Sequence, residues 1–274
     1  MLSLVATPIG NLSDITFRAI KTLSECDYIL CEDTRHSARL LSHYNIQKPC
    51  KSLHKFNETS QVDKVIADLK EGKHIALITD AGTPGISDPG ELLACSVIQA
   101  GIPVRSIPGA CAAIAALTSS GLPTSRFQFY GFLPRKDNEL KQAFLNILDY
   151  EGTTICYESP KRLRKTLEQL AAIDNTRTLA IARELTKIHE EILHGNAKDI
   201  LDSLNDEQCR GEIILMIKGI SEPLKTDWSS LSPVEHVKMI EKTYQISHLE
   251  AIKMAAKLRG VPKREIYQMT ENSD

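Results

Sequence analysis

The chain has 274 residues, a length typical of two domains. Hydrophobic residues make up 42% and charged residues 25%, which excludes a disordered chain, a collagen-like repeat and a small disulfide scaffold. With 33 Lys and Arg against 35 Asp and Glu, the net charge is −2, so any polyanionic partner must be bound by local basic patches.

The cysteines and the apolar segments indicate a cytoplasmic protein. None of the seven cysteines forms a C-x-x-C pair and most lie in apolar runs, so we expect reduced thiols in the core and neither disulfides nor zinc ligands. The N-terminus has no basic region ahead of its short apolar run, unlike a signal peptide. The uncharged stretch 106–125 is interrupted by proline and glycine, and we predict a buried helix there, with no membrane span.

Short apolar runs alternate with amphipathic patterns in the first half. Runs that are apolar on both faces predict buried strands of a parallel sheet, and a βαβα order places helices on both sides of it. The predicted strands are 2–6, 28–31, 75–79 and 103–107, and the predicted helices are 15–23, 37–43, 62–70, 92–100 and one within 110–120.

The second half predicts a mixed sheet followed by a helical tail. Its strands are 127–130, 153–157, 179–182, 190–193 and 212–217, its helices are 138–148 and 163–172, and the tail helices are 234–244, 249–258 and 263–269. Close spacing around Gly195 and Gly211 suggests some antiparallel pairing. We therefore divide the chain into an N-terminal α/β domain (1–122), a C-terminal α/β domain (123–220), and a linker with a helical tail (221–274).

Ligands of parallel sheets bind beyond the carboxyl ends of the strands. There the loop Asp80–Gly90 combines three glycines with two prolines, which predicts a preformed cradle of exposed backbone groups. No phosphate-binding loop, dinucleotide fingerprint or serine-hydrolase elbow is present. The segment 189–194 has the wrong spacing for a zinc helix, and we predict no metal site.

Seven motifs in order resemble one family. They are Ala6–Leu12 (ATPIGNL), Cys31–Arg35 (CEDTR), Asp80–Gly90 (DAGTPGISDPG), Ile107–Ala113 (IPGACAA), Gly131–Pro134 (GFLP), Tyr157–Pro160 (YESP) and Ala182–Lys187 (ARELTK). This series, over about residues 2–220, resembles the small-subunit ribosomal RNA methyltransferase I family of the tetrapyrrole (precorrin/corrin) methylase superfamily.

The resemblance implies a fold, a reaction and a partner. The implied fold class is α/β: two α/β domains with S-adenosylmethionine in the cleft between them, plus a C-terminal tail like a helix-turn-helix. The implied reaction is 2′-O-methylation of a cytidine ribose in the decoding region of small-subunit 16S rRNA. The partner would be the rRNA or the assembled small subunit, and the enzyme would be a homodimer.

The resemblance also carries over the cofactor-binding positions, one residue at a time. Glu158 and Leu185 depart from the superfamily, which often has an apolar residue and a glycine there. Asp80 either faces a cationic group of the cofactor or caps its own loop. The implied cofactor-binding residues are Pro8, Asp80, Ala81, Gly82, Thr83, Ile86, Cys111, Ala112, Glu158 and Leu185.

Methyl transfer to a ribose hydroxyl needs positioning and is helped by a general base. We expect Asp33 and Arg35 near the nucleophile, with Arg183, Glu184 and Lys187 on the opposite wall. Arginines beside acids also act as ion pairs that orient loops. The sequence leaves the general base open among Glu32, Asp33, His54, Glu58, Glu184 and His189.

Two basic segments predict contacts to RNA phosphates. In the first, Ser159 caps a helix whose opening turns carry cations, against the preference of the helix dipole. In the second, the tail segment 238–268 has seven Lys or Arg and three acids, a local charge of 7 − 3 = +4, around an apolar face of Leu249, Ile252, Ala256 and Leu258. The predicted RNA contacts are Lys161, Arg162, Arg164, Lys165, Lys257, Arg259, Lys263 and Arg264.

Two alternatives stay open. A tetrapyrrole methyltransferase would share the cofactor cradle but has no need of the helical tail. A non-catalytic, rRNA-binding assembly factor would have no need of the cradle. Titration with S-adenosylmethionine separates the assembly factor from the enzymes.

Overall fold

A computed structural model describes residues 1–205, 208–220, 231–244 and 246–271. The chain forms two compact units. Unit 1 comprises Met1–Ser120, Ala182–Ile192 and Glu212–Ile214, and unit 2 comprises Gly121–Ile181, Leu193–Gly211 and Leu215–Asp274. The predicted linker at 221–230 lies outside the described residues, and the three-part division of the chain stays a prediction.

The first sheet has five parallel strands in the order β3-β2-β4-β1-β5. The strands are β1 (Leu2–Val5), β2 (Tyr28–Cys31), β3 (Cys50–Ser52), β4 (Ile75–Leu77) and β5 (Val104–Ile107). The helices are α1 (Phe17–Glu25), α2 (Thr34–His43), α3 (Glu58–Lys70), α4 (Glu91–Gln99) and α5 (Ala112–Ser119). The sequence did not predict β3, which is only three residues long and whose middle residue, Lys51, is exposed.

Both faces of the first sheet are apolar, as the sequence predicted. Along β2, Ile29 and Cys31 pack on one face with Leu23 of α1. Tyr28 and Leu30 point to the other face, where α3 and α4 cover them. This alternation within an uninterrupted apolar run is what burial on both sides of a parallel strand requires.

The second sheet has the order β6-β7-β10-β8-β9. Its strands are β6 (Phe127–Phe132), β7 (Thr153–Glu158), β8 (Thr178–Arg183), β9 (Glu191–Asn196) and β10 (Ile213–Lys218). The helices that follow along the chain are α6 (Asp137–Leu148), α7 (Leu163–Ile173) and α8 (Ala197–Ser203). The strands β6 and β7 are parallel, and α8 is a short helix that the sequence did not predict.

The tail forms three helices, α9 (Pro233–Tyr244), α10 (His248–Arg259) and α11 (Lys263–Glu271). Helix α10 ends at Gly260, whose φ of +67° is the left-handed conformation that glycine adopts without strain. The tail is bound to α6 by hydrogen bonds from the Tyr244 hydroxyl to Asp149 (3.2 Å) and from Lys257 to Asn146 (2.6 Å).

Two expectations about burial are wrong. Leu249 was expected on the apolar face of α10, but it is 52% exposed, and the buried face is formed by Ala251, Ile252 and Met254 to Ala256. Leu249 occupies the first turn of the helix, on the side that faces solvent. All seven cysteines are free thiols, but Cys95 is exposed on α4.

The start of α4 depends on a carboxylate from another helix. Gly90 precedes α4 and has no side chain to cap it, and its φ is +123°. Glu58 is buried at the start of α3, and its Oε1 accepts hydrogen bonds from the backbone N–H groups of Gly90 (3.0 Å) and Leu93 (2.9 Å). Glu58 therefore replaces the missing N-cap side chain of α4. Its negative charge also interacts favourably with the positive end of the helix dipole.

We expect Glu58→Ala to lower the free energy of unfolding by about 2–4 kcal/mol, because it leaves two buried N–H groups without acceptors. Glu58→Gln retains an acceptor oxygen and should lose less. Urea denaturation measures both. The matched control is Glu71→Ala, which removes an exposed ion pair to Lys73 and should change stability by less than about 1 kcal/mol. Equal losses for Glu58→Ala and Glu71→Ala would contradict the capping role.

Candidate functional site

In unit 1, the loops that follow β1 and β4 are joined through their backbones. The N–H of Thr7 donates to the carbonyl of Gly82 (2.9 Å), and the N–H of Gly82 donates back to Thr7 (3.1 Å). The buried Thr7 hydroxyl adds a bond to the carbonyl of Thr79 (3.2 Å). This pair of bonds brings the loop that carries Pro8 to the cradle Ala81–Thr83, and the binding of the cofactor by these residues, which the resemblance implies, stays a prediction.

The loop after β5 joins the same group. The hydroxyl of Thr83 donates to the carbonyl of Ala110 (3.1 Å), next to the predicted cofactor residues Cys111 and Ala112. A Cβ on Gly109 would lie 2.9 Å from the Cβ of Ala6, so this position accepts only glycine without displacement. Three strand-end loops therefore converge at the carboxyl edge of the first sheet.

Asp80 connects the loop after β2 to this group. Its Oδ1 accepts the backbone N–H of Asp33 (3.3 Å), so Asp80 stabilises the neighbouring loop. Asp33 in turn caps α2 by accepting the N–H of Arg35 (2.8 Å). The hydrogen bonds from the backbone and side chain of Arg35 lower the pKa of the Asp33 carboxyl. The side chain of Arg35 is 91% exposed and points to solvent.

The segment Glu184–Lys187 packs against the loop after β1. A Cβ on Gly10 would lie 2.6 Å from Cγ of Lys187 and 2.9 Å from the carbonyl oxygen of Leu185. Glu184 and Thr186 have φ values of +50° and +64°, a strained conformation for residues with side chains. Leu185 is thus held beside Gly10 by a tight loop, and both belong to motifs that the sequence singled out.

Charged partners hold this segment in place. Lys187 donates to Glu184 (2.9 Å) and to Glu212 (3.1 Å), and Glu184 also accepts the N–H of Glu212 (2.8 Å). Burial acts to raise the pKa of Glu184, but these hydrogen bonds outweigh it and the pKa is lowered. Arg183 lies 3.4 Å from Glu191. The five predicted catalytic residues are thus all engaged in pairs. Asp33 is paired with Arg35, and Glu184 is paired with Lys187. Arg183 is paired with Glu191, which was not among the predicted residues.

A second group of acids lies at the same edge. Burial raises the pKa of Asp88, and the carboxylates of Glu32 and Asp80 raise it further, to about 6. The positive charge of Lys55 acts to lower this pKa. Burial and Asp80 likewise raise the pKa of Glu32. The sequence analysis missed Asp88 as a titrating group, and the signal that could have found it is an acid inside a Gly- and Pro-rich cradle.

The six general-base candidates differ in the interactions that their side chains already make within the protein. Asp33 and Glu58 cap helices, Glu184 is paired with Lys187, and His189 is exposed. Glu32 and His54 remain without such a role in the part of the chain that the structure describes, and the charge of His54 acts to lower the pKa of Glu32 against the effect of burial.

Two polar atoms at this edge are buried without a hydrogen-bond partner among the described residues. They are the hydroxyl oxygen of Thr186 and Nδ1 of His54. Such atoms are rare in folded proteins and are often satisfied by a ligand or by water. Ile86, by contrast, is 41% exposed at the far end of the cradle.

In unit 2, the side chain of Glu158 is not available to a cofactor. It is buried and accepts hydrogen bonds from the N–H of Ser159 (2.7 Å) and the hydroxyl of Thr166 (2.7 Å), and it lies 3.3 Å from Arg162. The side chain therefore stabilises the start of the following helix, so only its backbone can serve the predicted contact.

Several cations of the basic segment after Ser159 already bind other groups of the same chain. Arg162 donates to the carbonyls of Leu133 (3.2 Å) and Pro134 (2.6 Å). Arg164 donates to the carbonyl of Leu204 (2.7 Å). Lys165 pairs with Asp137 at the surface, and Lys161 is exposed. Binding of RNA phosphates by these four residues stays a prediction.

In the tail, the four predicted RNA contacts also differ. Arg259 donates to Nδ1 of the buried His236 (3.0 Å) and to the carbonyl of Leu231 (2.5 Å), so its guanidinium holds α10 to α9. Lys257 binds Asn146. Lys263 and Arg264 are exposed in the first turn of α11.

Among the described residues, none of the helices has the length and apolar character needed to cross a membrane. The same part of the chain holds no group of three His, Cys, Asp or Glu side chains placed to bind a metal ion.

Comparison with known proteins adds to this geometry. A family model described as "Tetrapyrrole (Corrin/Porphyrin) Methylases" matches residues 1–201. Among solved structures, "the methyltransferase CobJ" is similar with a TM-score of 0.60 and 17% identity, over 79% of this chain and 93% of that one. Diphthine synthase is similar with a TM-score of 0.59 and 15% identity, over 80% and 89%. At these identities the likeness supports the fold alone.

Curated relatives are much more similar in sequence. "Ribosomal RNA small subunit methyltransferase I" of Halalkalibacterium halodurans is 47% identical over 272 residues, which cover 98% of this chain and 93% of that protein. The protein of the same name from Bacillus subtilis is 43% identical over 271 residues, covering 97% and 92%. The chain therefore belongs to the tetrapyrrole methylase family and, within it, to the ribosomal RNA small subunit methyltransferases I.

Proposed function

We propose that the protein transfers a methyl group from S-adenosylmethionine to the 2′-hydroxyl of a cytidine in the decoding region of small-subunit rRNA. The observation that carries this proposal is the identity of 47%, over nearly the full chain, with a relative named for rRNA methylation. The choice of cytidine and of the 2′-hydroxyl rests on the motif resemblance. A cytoplasmic location and a homodimer belong to the same proposal.

The residues at the carboxyl edge of the first sheet fit S-adenosylmethionine. Gly82 has a φ of +82° and exposes backbone groups, and the unpartnered Thr186 hydroxyl offers a further hydrogen bond. When bound, the cofactor supplies an electrophilic methyl group on a sulfonium. We assign its binding to Pro8, Asp80, Ala81, Gly82, Thr83, Ile86, Cys111, Ala112, Leu185 and the backbone of Glu158.

In this proposal the chain contributes mainly by positioning the reacting groups. Asp33 and Arg35 orient the substrate ribose, while Arg183, Glu184 and Lys187 hold the opposite loop. The hydroxyl proton passes to the acidic group of Glu32 and Asp88, because a carboxyl with a raised pKa is a better base near neutral pH.

The proposal is tested by incubating the protein with S-adenosylmethionine and either protein-free 16S rRNA or assembled small subunits. We expect one methylated cytidine ribose in the decoding region, located by nuclease digestion and mass spectrometry. A base-methylated nucleotide would contradict the 2′-hydroxyl. Binding of rRNA without binding of the cofactor would favour the assembly factor, and methylation of a tetrapyrrole in place of RNA would favour the other enzyme.

Gly10→Ala tests the proposed cofactor site. The new Cβ must push the backbone of Leu185 away, so we expect affinity for S-adenosylmethionine to fall by about tenfold, the effect of roughly 1.4 kcal/mol of strain. Isothermal titration calorimetry measures the affinity. Gly101→Ala is the matched control, because it has open space around its Cβ but a φ of +73°, and thus loses stability without touching the site. Equal affinities for both variants would contradict the placement of Leu185 at the cofactor.

For RNA binding, we assign phosphate contacts to Lys161 and Lys165 and to Lys257, Lys263 and Arg264, and secondary roles to Arg162, Arg164 and Arg259. The last three already donate to carbonyls within the chain. Lys263 and Arg264 offer the best test because both are exposed at the start of α11.

We expect Lys263→Gln with Arg264→Gln to weaken rRNA binding and to reduce the slope of log affinity against log salt concentration by about 1.4 to 1.8. Fluorescence anisotropy at several salt concentrations measures the slope. The control is Lys21→Gln with Lys70→Gln, which removes two exposed charges from α1 and α3. A slope that changes no more than in the control would remove the tail from the RNA interface.

A further inference from the structure

The turn after β3 lies beside the candidate site. This turn, His54–Asn57, follows a parallel strand and so leaves the same edge of the sheet as the cradle. The charge of Lys55 acts on the pKa of both Glu32 and Asp88, which shows that these groups are near one another. The sequence analysis assigned no role to Lys55 or Phe56.

The turn is held firmly by hydrogen bonds. The side chain of Asn57 accepts the N–H of His54 (2.8 Å) and donates to the carbonyl of Ser52 (3.1 Å). The carbonyl of His54 accepts the N–H groups of Asn57 and Glu58, both at 3.0 Å. Because Glu58 also binds the end of the cradle at Gly90, the turn and the cradle form one connected structure.

This turn presents an aromatic ring to solvent. Phe56 is 98% exposed, and its ring lies edge-on to His54 with the centroids 6.1 Å apart. An exposed hydrophobic residue is common on any surface and needs no explanation by itself. Here, however, the ring stands on a hydrogen-bonded turn next to an exposed cation, Lys55, at the edge where the substrate is proposed to enter.

An aromatic ring beside a cation matches the chemistry of single-stranded RNA. Bases stack on aromatic side chains while cations bind the backbone, and this binding does not need a wide apolar surface. A protein partner would need such a surface, because interface hot spots lie inside larger packed patches. The neighbours of Phe56 along the chain, Lys55 and Asn57, are polar and do not provide one.

We propose that the turn His54–Asn57 is an RNA-binding element in which Phe56 stacks on an unpaired base close to the target ribose and Lys55 binds a phosphate. This inference rests on the proposed function and adds to it a residue that positions the substrate. In this proposal Phe56 contacts RNA only, and the cofactor is bound by the loops that follow other strands.

The test compares Phe56→Ala, Phe56→Leu and Phe56→Trp in the full-length protein, with protein-free 16S rRNA as the probe. We expect Phe56→Ala to weaken RNA affinity by about 5- to 150-fold, the range for loss of one stacked base. Phe56→Leu should not restore it, because leucine has no aromatic face, whereas Phe56→Trp should. Affinity for S-adenosylmethionine should be unchanged in all three, since each change is on an exposed ring.

Two further variants complete the design. Ile98→Ala removes a residue that is 61% exposed at the end of α4, on the opposite edge of the sheet, and should leave RNA affinity unchanged. Lys55→Gln should reduce the salt slope by about 0.7, the value for one phosphate contact to a single strand.

Several outcomes would overturn the proposal. Wild-type affinity in Phe56→Ala, or full affinity in Phe56→Leu, would exclude stacking. If Phe56→Ala weakens binding to assembled subunits but not to protein-free rRNA, the partner is a ribosomal protein. Failure of the proposed function would be a separate result. It would appear as absence of methyl transfer by the wild-type protein, and it does not depend on the RNA affinities of the Phe56 variants.

Discussion

The two reciprocal hydrogen bonds between the backbones of Thr7 and Gly82 are the contact on which the candidate site depends. They join loops that are 75 residues apart in sequence, and they do so with main-chain groups that every residue type except proline possesses. What the sequence must supply is room and conformational freedom, which explains the positive φ of Gly82. One further hydrogen bond connects each of two neighbouring loops to this bridge. Asp80 accepts from Asp33 in the loop after β2, and Thr83 donates to Ala110 in the loop after β5.

Charged side chains of the motifs, together with Glu58 outside them, support the structure around the site. Glu58 replaces a missing helix cap, Glu158 stabilises the helix that follows β7, and Lys187 is held between two carboxylates. Buried or half-buried charges need such partners because desolvation is costly. Asp88 is the exception, since burial and the neighbouring carboxylates of Glu32 and Asp80 raise its pKa to about 6.

The surfaces proposed to meet RNA differ in how they are built. Arg162, Arg164 and Arg259 donate to backbone carbonyls, so their positions are fixed by the fold. Lys263, Arg264 and Lys55 are exposed, which suits binding dominated by the phosphate charge. Phe56 adds an uncharged contact to this set. A net charge of −2 is thus compatible with a polyanionic partner, because the cations are concentrated locally.

The sequence by itself determined most of the element order, the parallel first sheet, the family and the motifs at the strand ends. Those features are local, because a buried strand, a helix end at Gly260 or a glycine-rich loop is specified by neighbouring residues. It missed β3 and α8, since short elements with exposed residues carry little periodic signal. It also placed Leu249 on the buried face of α10, where the structure leaves it in solvent.

Only the tertiary structure decided what each charged side chain does. Glu58 and Glu184 looked alike as acid–base candidates, but one caps α4 and the other binds Lys187. Asp88 was not considered, because its raised pKa comes from burial and from Glu32, which lies 56 positions earlier in the chain. The physical reason is common to all three cases. Hydrogen bonds and electrostatic interactions depend on distance in space, and residue spacing along the chain does not reveal which groups the fold will bring together.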